Sequence, residues 1–450
     1  MSSKESSFSA KKLIKTITFG IARVAEMLGS VPMLKRSDTH ALALPSALLL
    51  TFFMYQLISF FMVSSTGGTA SIGYAAYAVY LTVLFFLMIY TGNTALFRRI
   101  FFTGIALLFF PSFIANLFEA RGSMALTAED MFLNQTPFCH IVIPIVIIPY
   151  ALTQTIIFPA QITGHYASVT SMLIIWFIAA LVLGRGWCSW VCFYGGWEDG
   201  ISRLSKKTRV TLPQDDRIRY FSFAVLLFVV LLSLRTLSSV YCEWFCPFKL
   251  VTEYAEITGI LTYISTIMFI LLFFGLVVVL PYLTRKRVQC TSFCPFGAFQ
   301  SLVGRISPFR IRIDPEACSK CMRCVSVCPT MSIKPETIKN GKTSPLITCT
   351  LCGECVTACP KGAIQYGYFG KNGYPKLIQA LRNTKKPGTP TAASKPASIL
   401  RFWTKRLVSD LLSPSTLLIF AGFTFGMIIS AGFAGRTINL IISFFTGGTL

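Results

Sequence analysis

Seven stretches of this chain are apolar over enough residues to cross a lipid bilayer as helices. They lie at 43–63, 71–91, 100–118, 169–184, 218–240, 261–283 and 415–434. Of the 450 residues, 54% are hydrophobic and only 13% are charged, whereas a soluble domain carries about 25% charged residues. The composition therefore excludes an ordinary soluble protein and a disordered chain. It predicts a mainly α-helical transmembrane bundle of about seven or eight spans.

An eighth apolar run, 141–159, contains three prolines, which disturb helices. The chain has 41 lysines and arginines against 18 acidic residues, and such an excess marks cytoplasmic loops of a membrane protein. The basic segments are 1–42, 185–219, 284–310 and 371–406, together with Arg98 and Arg99; the acid-leaning loops are 119–136 and 239–260. All basic segments share one side only if 141–159 enters and leaves by the same face, so a re-entrant segment is favoured over a crossing.

The same pattern divides the chain into five parts. They are a basic cytoplasmic segment at 1–42, a transmembrane domain at 43–310, a soluble-looking domain at 311–370, a basic linker at 371–414 and a C-terminal transmembrane segment at 415–450. In the first part, apolar residues recur at roughly helical spacing, which indicates an amphipathic helix on the membrane surface. A frayed tail is an equally good interpretation. No secretory signal is visible, so we expect a multi-pass protein of the inner (cytoplasmic) membrane, with the soluble-looking domain on the cytoplasmic side.

Eight of the fifteen cysteines repeat one motif, C-x2-C-x2-C-x3-C-P, inside the soluble-looking domain. The copies comprise Cys318, Cys321, Cys324 and Cys328, and Cys349, Cys352, Cys355 and Cys359. This spacing is typical of bacterial two-cluster ferredoxins, in which the fourth cysteine of each motif ligates the other cluster. We predict one [4Fe–4S] cluster on Cys318, Cys321, Cys324 and Cys359, and a second on Cys349, Cys352, Cys355 and Cys328. Zinc is the alternative, but it would use two separated C-x2-C pairs. The fold class is thus a helical bundle with an inserted α+β ferredoxin domain.

Three further cysteine pairs share the spacing C-x3-C, each at a boundary of a predicted span. They are Cys188 and Cys192, Cys242 and Cys246, and Cys290 and Cys294. Residues four apart share a helix face, so each pair can offer two sulfurs to one point. The first and third pairs flank the hairpin 218–283 on its basic side, and we predict that these four thiols bind a third [4Fe–4S] cluster at the membrane surface. Structural thiols and a zinc site are the alternatives.

The middle pair lies at the other end of that hairpin. With a re-entrant 141–159, Cys242 and Cys246 share a side with Cys139 and His140. These four residues make a hypothetical fourth site, and its histidine would raise a cluster's potential, as in Rieske centres. A disulfide between Cys242 and Cys246, a cluster shared with the first pair, and simple packing are the alternatives.

Other cofactors find little support. The chain lacks the C-x-x-C-H motif of c-type haem. The three histidines, His40, His140 and His165, form no obvious axial pair for b-haem. TGGTAS at 66–71 faintly resembles a threonine-flavinylation signature, but a Gly/Ser/Thr turn explains it better. No basic, aromatic-interleaved soluble face indicates nucleic-acid binding. The tryptophans near the cysteines are expected to be interface anchors; they are Trp187, Trp190, Trp197 and Trp244.

The segments GRGWCSWVC, CTSFCPFGAFQSLVGR, CSKCMRCVSVCP and CTLCGECVTACP, over roughly 180–365, resemble the NapH/NosR/MauN-type membrane polyferredoxins. Phe193 departs from this pattern, because the family usually has proline after that cysteine. The Cys242/Cys246 pair, the FCH element and the last span are also additional. The resemblance implies clusters on the matching cysteines and a membrane-bound carrier of single electrons. Such a carrier connects the quinone pool, or a cytosolic donor or acceptor such as ferredoxin or flavodoxin, with a partner reductase or dehydrogenase complex.

Two other functions remain open at this stage. Some relatives serve in assembly of metalloenzymes, so a redox or metal-reducing assembly or regulatory factor is the alternative. A transporter is disfavoured because no charged residue stands inside a predicted span in a way that marks an ion path. The basic stretches 284–310 and 371–406 either hold the soluble domain against anionic headgroups, guide an acidic carrier, or merely mark topology.

Overall fold

The computed structural model describes residues 41–65, 72–119, 135–137, 141, 143–153, 166–213, 215–236, 239–249, 259–368 and 407–446. The amphipathic segment, the 66–71 turn, Cys139, His40, His140, His165 and most of the linker lie outside the described residues. Within the described part, seven helices are long and apolar enough to cross a membrane. The prediction of a polytopic helical bundle is therefore confirmed.

The regular elements follow one another in this order. The helices are α1 (Leu44–Ser65), α2 (Ile72–Thr91), α3 (Thr94–Glu119), α4 (Ile143–Thr153), α5 (Val169–Leu183), α6 (Trp187–Trp190), α7 (Phe193–Leu204), α8 (Asp216–Thr236), α9 (Ile260–Leu272), α10 (Leu280–Thr284), α11 (Pro295–Val303), α12 (Arg323–Val327), α13 (Pro335–Lys339), α14 (Glu354–Ala358) and α15 (Pro414–Thr446). The strands are β1 (Gln135–Pro137), β2 (Tyr166–Ser168), β3 (Phe309–Ile313) and β4 (Ile364–Tyr368). Single π-helical turns occupy Tyr241–Phe245, Phe273–Val279 and Gln289–Phe293, and 3-10 turns occupy Gly184–Gly186 and Gly304–Ile306.

The proline-containing run at 141–159 does not supply a spanning helix among the described residues. Its helix α4 has 11 residues, about half of what a bilayer needs. Strands β1 and β2 lie on either side of the run and pair antiparallel, with Gln135 opposite Ser168. The chain thus returns to its starting point, as a re-entrant segment does.

Two spans extend beyond the runs read from the sequence. Helix α3 begins at Thr94, six residues before the predicted start, because Arg98 and Arg99 have carboxylate partners there and need not face water. Helix α15 continues to Thr446, so Arg436 lies inside it instead of following it. Hydropathy alone ends a predicted span at the first charged residue. In this protein Arg98, Arg99 and Arg436 lie inside the helices α3 and α15.

The C-terminal span is part of the bundle core. Helix α15 packs against α1, α2 and α3, and the ring of Phe423 stacks on Phe101 with centroids 4.2 Å apart. The hydroxyl of Tyr77 donates to Ser430 Oγ at 2.7 Å. Glycines on α15 allow this close approach, because a Cβ at position 422 would lie 2.6 Å from the Trp190 ring. The helix thereby reaches the region of the first C-x3-C pair.

The soluble domain is a small α+β unit. Strands β3 and β4 pair antiparallel, with Phe309 opposite Tyr368, and so bring the beginning and end of the domain together. Helices α12 and α14, one from each cysteine motif, pack side by side. Gly353 has a φ of +79°, and any side chain there would collide with the hydroxyl of Tyr366. Glycine at this position lets the second cysteine loop turn tightly into α14.

Candidate metal centres

The cysteines of the soluble domain form two adjacent groups. In the second group, Cys355 interacts electrostatically with Cys349, Cys352 and Cys328, so a thiol of the other motif lies near this group. Cys355 also interacts with Cys324 of the first group, which places the groups side by side. Burial raises the pKa of Cys352 to about 11. Such a thiol stays protonated at neutral pH unless a metal takes the place of its proton.

The first group lies nearer the surface. Cys324 interacts electrostatically with Cys318 and Cys321, which is consistent with the predicted set. Cys321 is exposed, and Cys359 ends α14 with the extended backbone of a motif's last cysteine. We call this set (Cys318, Cys321, Cys324, Cys359) the distal site and the other (Cys349, Cys352, Cys355, Cys328) the proximal site. Only the distal site has an exposed cysteine.

The first and third C-x3-C pairs come together, as predicted. Cys192 interacts electrostatically with Cys188 and Cys294, and Cys290 interacts with Cys192 and Cys294. All four side chains are buried, with relative exposures between 5% and 7%. We call this set (Cys188, Cys192, Cys290, Cys294) the membrane site.

Two helices begin at the membrane site. Cys192 caps α7 and accepts from Gly195 N, and Cys294 caps α11 and accepts from Gly297 N, both at 3.4 Å. The positive ends of two helix dipoles therefore point at these sulfurs. The surroundings favour negative charge at the site.

Cys192 has the same backbone shape as the cysteines that precede proline. Its φ and ψ are −69° and 103°, and those of Cys294 are −78° and 115°. Cys328 and Cys359 of the soluble domain have ψ values of 112° and 111°. Proline restricts the preceding residue to this region, but Phe193 does not. The departure from the family pattern at Phe193 therefore leaves the local geometry intact.

The middle pair approaches the membrane site. Tyr241, beside Cys242, is fully buried, and its hydroxyl accepts from Gln289 Nε2 at 3.5 Å. Tyr241 interacts electrostatically with Cys242, Cys246 and Cys294, so it lies between the middle pair and the membrane site. Cys246 has the same extended backbone, with ψ of 110°, and is half-buried. The structure does not describe Cys139 and His140, so the predicted four-residue set falls partly outside it.

Several charged side chains around these sites are buried, which sequence reasoning missed. Fully or almost fully buried are Arg98, Arg185, Arg219, Arg287, Glu198 and Asp199. Apart from Arg219, they surround the membrane site and its contact with the soluble domain. The sequence does carry a signal for these buried charges, because charged residues stand close to cysteines in RGWC, KRVQC and CGEC.

Trp187 and Trp190 also differ from expectation. Both are fully buried, and Trp190 Nε1 donates to Leu351 O at 3.3 Å, inside the second cysteine loop. They pack beside Cys188 and Cys192 and do not anchor the protein at a lipid interface. The tryptophans instead fill the space between the membrane site and the soluble domain.

A cluster of ion pairs ties the two domains together at Glu354, between Cys352 and Cys355. Arg99 Nη2 lies 2.6 Å from Glu354 Oε1, and Arg98 Nη2 lies 3.3 Å from the same oxygen. Arg98 also pairs with Asp199 at 3.0 Å. Burial opposes ionisation of Asp199, but the surrounding arginines, Arg98 above all, outweigh it and lower its pKa to about 2. The Asp199 carboxylate therefore stays charged, and its pair with Arg98 is ionic at neutral pH.

A basic strap reinforces this docking from the other side. Lys286 Nζ donates to the carbonyls of Ser326 and Cys328 at 2.7 and 2.8 Å, and Arg287 N donates to Pro329 O at 2.8 Å. The segment 284–310 thus fastens the soluble domain directly, beyond marking topology. The soluble domain is held against the bundle at a fixed place.

The donor sets suit iron–sulfur clusters. Thiolates are the ligands that these clusters use, and each set supplies four. Among the described residues, no three His, Cys, Asp or Glu side chains converge tightly enough to hold one metal ion. The molecule is a multi-pass membrane protein with a docked two-motif iron–sulfur domain.

Comparison with known proteins agrees with this class. A 4Fe-4S dicluster domain matches residues 317–364, and a 4Fe-4S binding domain matches three times, at 165–211, 218–258 and 266–314. Each of the three repeats contains one C-x3-C pair. No solved structure matches the chain. The pair Cys242/Cys246, additional to the minimal pattern, is thus part of a regular threefold repetition.

Curated relatives are ferredoxin-type proteins. The chain is 30% identical over 202 residues to the methylamine utilization ferredoxin-type protein MauN of Paracoccus denitrificans, covering 44% of this chain and 66% of MauN. It is 25% identical over 181 residues to the putative electron transport protein YccM of Escherichia coli, covering 38% and 48%. It is 29% identical over 175 residues to the ferredoxin-type protein NapH of Escherichia coli, covering 37% and 56%.

These matches support membership of the NapH/MauN-type family of ferredoxin-type proteins. The chain spans about half the length of YccM and just under two thirds of MauN. Its 4Fe-4S domains support bound iron–sulfur clusters.

Proposed function

We propose that this chain relays single electrons through three thiolate sites arranged in a row. The distal site faces a soluble partner, the proximal site lies at the domain contact, and the membrane site lies within the bundle. The soluble domain lies on the cytoplasmic side of the inner membrane, where the basic loops belong. The relay ends at a partner reductase or dehydrogenase complex, with a cytosolic carrier or the quinone pool at the other end.

The observation that carries this proposal is the contact between the membrane site and the second cysteine loop. Arg185 interacts electrostatically with Cys188 of the membrane site and with Cys349 of the proximal site. Trp190 joins the same two regions through its hydrogen bond to Leu351 O. One arginine therefore interacts with both sites and one tryptophan joins the two regions, which supports electron transfer between them.

Bound clusters would supply reversible one-electron transfer, and the chain supplies position and surroundings. The arginines around Glu354 and the strap at Lys286 and Arg287 fix the soluble domain on the bundle. A fixed distance favours a relay over a domain that swings between partners. Buried ligands at the membrane site exclude water.

The distal site offers a surface for a soluble carrier. Cys321, Lys320 and Arg323 are exposed together. Their positive charge favours an acidic partner such as a ferredoxin or flavodoxin, because opposite charge speeds association. Raising the ionic strength should slow reduction by such a carrier but leave later steps unchanged.

We further propose that Cys242 and Cys246, with Cys139 and His140, form a fourth site next to the membrane site. Tyr241, beside Cys242, reaches Gln289, which is next to Cys290 of the membrane site. With a fourth site the relay would extend further within the bundle.

Iron and sulfide analysis with EPR of the reduced, anaerobically purified protein tests the proposal. Three sites predict about twelve irons per chain and a fourth adds about four more, since each cluster holds four. Cys188→Ala with Cys290→Ala should remove about four irons and one EPR signal. Ser292→Ala, in the same buried turn, removes no sulfur and is the matched control. Unchanged iron in the double variant would rule out the membrane site.

The assembly function is tested in the same strains. For a relay, the Cys188→Ala/Cys290→Ala variant should abolish electron flow from reduced carrier into membranes while the partner enzyme keeps its metal. Normal electron flow combined with an unmetallated partner enzyme would overturn the relay and support an assembly factor. Cys242→Ser with Cys246→Ser tests the fourth site by the same iron count.

A further inference from the structure

Two of the buried arginines lack the acidic partner that a buried cation normally has. Arg185 and Arg287 have relative exposures of 3% and 0%. Within the described part of the chain, neither forms an ion pair with a carboxylate, whereas the equally buried Arg98 pairs with Asp199 at 3.0 Å. An isolated buried charge is costly. The protein's own acids, Glu198 and Asp199, act on Arg287 from nearby without a direct ion pair, so a further anion would stabilise both arginines.

Arg185 lies between two of the thiolate sites. Its Nη1 donates to Ser301 Oγ at 2.5 Å, its Nη2 donates to Cys290 O at 3.4 Å, and its Nε has no partner among the described residues. It interacts electrostatically with Cys188, Cys290, Cys294 and, on the other side, Cys349. One fixed positive charge is thus shared by the membrane site and the proximal site.

The guanidinium of Arg287 lies at the membrane site, whereas its backbone N–H donates to Pro329 O of the soluble domain. Its Nη2 donates to Cys290 Sγ at 3.4 Å and to Cys188 O, and its Nη1 donates to Ser189 Oγ at 2.8 Å. Its guanidinium also lies over the Phe102 ring, 5.5 Å from the centroid. The guanidinium therefore contacts both cysteine pairs of that site directly.

The nearby acid only partly balances these cations. Glu198 accepts from Gln289 N at 2.6 Å and Cys290 N at 3.0 Å. Asp199 also interacts electrostatically with Arg287, but it is paired with Arg98. Arg98, Arg185 and Arg287 therefore face two carboxylates, Glu198 and Asp199, which leaves one excess positive charge beside the membrane site. No described arginine of comparable burial lies at the distal site, where Arg323 is exposed.

We propose that Arg185 and Arg287 are positioning residues that raise the reduction potentials of the buried sites, with Arg185 acting on the membrane and proximal sites together and Arg287 on the membrane site alone. This inference rests on the proposed third cluster. Reduction adds one negative charge to a four-thiolate cluster, and burial disfavours that charge because water cannot solvate it. A fixed cation and an N–H···S bond stabilise the reduced form and raise the potential. The arrangement makes electron entry from the exposed distal site into the buried sites more favourable.

Redox titration of the full-length protein in detergent, followed by EPR, tests this inference. Arg185→Gln should lower the reduction equilibrium constants of the membrane and proximal signals at least tenfold, or 59 mV for one electron. Arg287→Gln should lower the reduction equilibrium constant of the membrane signal by the same factor and leave that of the proximal signal unchanged. The distal signal is the internal reference and should not move. Arg219→Gln, an equally buried arginine on α8 beside Asp216, is the matched control and should move none.

Iron content, measured on every variant, separates a change of potential from loss of a cluster. Arg185→Lys keeps the charge and should restore most of the shift, which a purely structural role of the side chain would not predict. Equal shifts at all sites, or unshifted potentials in Arg185→Gln with full iron content, would overturn the inference. If the wild-type protein holds only two clusters, the proposed membrane site is wrong. The reduction potential of the proximal cluster in Arg185→Gln then decides whether Arg185 acts on the proximal site.

Discussion

The membrane site and the distal site use the same ligands in opposite surroundings. The membrane site has four buried cysteines, two helix N-termini and two buried arginines. The distal site has one exposed cysteine, a half-buried Cys318 and exposed basic residues. The ligand motif alone does not set what a site can do; its surroundings decide whether a partner can reach it.

The proximal site lies between these extremes and depends on the domain contact. Its loop carries Glu354, which three arginines of the membrane domain surround. The side chains that dock the domain therefore come from the same loop that holds the ligands. Weakening the domain contact should therefore disturb the membrane and proximal sites more than the distal site.

The largest effect is expected from Arg98→Met. This change leaves Asp199 buried and unpaired, which should lower the free energy of unfolding by about 3–5 kcal/mol. Arg99→Met is the control, because its side chain is 26% exposed and its pair should contribute only about 0–1 kcal/mol. Denaturant titration in detergent measures both. Equal losses in the two variants would mean that burial does not distinguish these arginines.

Acid should weaken the same contact. The pKa of Asp199 is about 2 in the folded protein, against about 3.9 in an unfolded chain. A lowered pKa gives stability that is present above the unfolded value and is lost as the pH falls from about 4 to 2. The amount is about 2–3 kcal/mol. The stability difference between wild type and Asp199→Asn should shrink over that range; a constant difference would contradict the assignment.

The cysteine spacings predicted which thiols lie near one another, because a cluster motif is local in sequence. The nearness of Cys328 to the second motif, the pairing of the first and third C-x3-C turns and the seven spans all follow from spacing and hydropathy. The Arg98–Glu354 contact joins residues 256 apart, and no local pattern indicates it. Positive charge near a membrane segment ordinarily marks a cytoplasmic loop, so the sequence predicts loop positions for Arg98, Arg185 and Arg287 and not buried ones.

Close packing of the last span is the next test. Gly422→Ala places a methyl group 2.6 Å from the Trp190 ring, next to the membrane site. Overpacking of this kind should cost about 1–3 kcal/mol. Gly432→Ala, on the same helix with nothing within 4 Å, should be neutral or stabilising by up to about 1 kcal/mol. Thermal unfolding in detergent compares the two. Similar losses would show that helix propensity, and not contact with Trp190, governs the helix.

The smallest expected effect is a difference in how fast a chelator removes iron from the distal site and from the membrane site. A charged iron chelator can approach the distal site at exposed Cys321, whereas reaching the membrane site requires the soluble domain to lift from the bundle. We expect the distal EPR signal to disappear about tenfold faster after mild oxidation, the factor that about 1.4 kcal/mol of opening free energy supplies. Arg98→Met should narrow this ratio by speeding loss at the buried sites, while Arg323→Gln, at the exposed face, should leave it unchanged. Simultaneous loss of all signals in wild type would mean that one global opening, and not local exposure, controls access to every site.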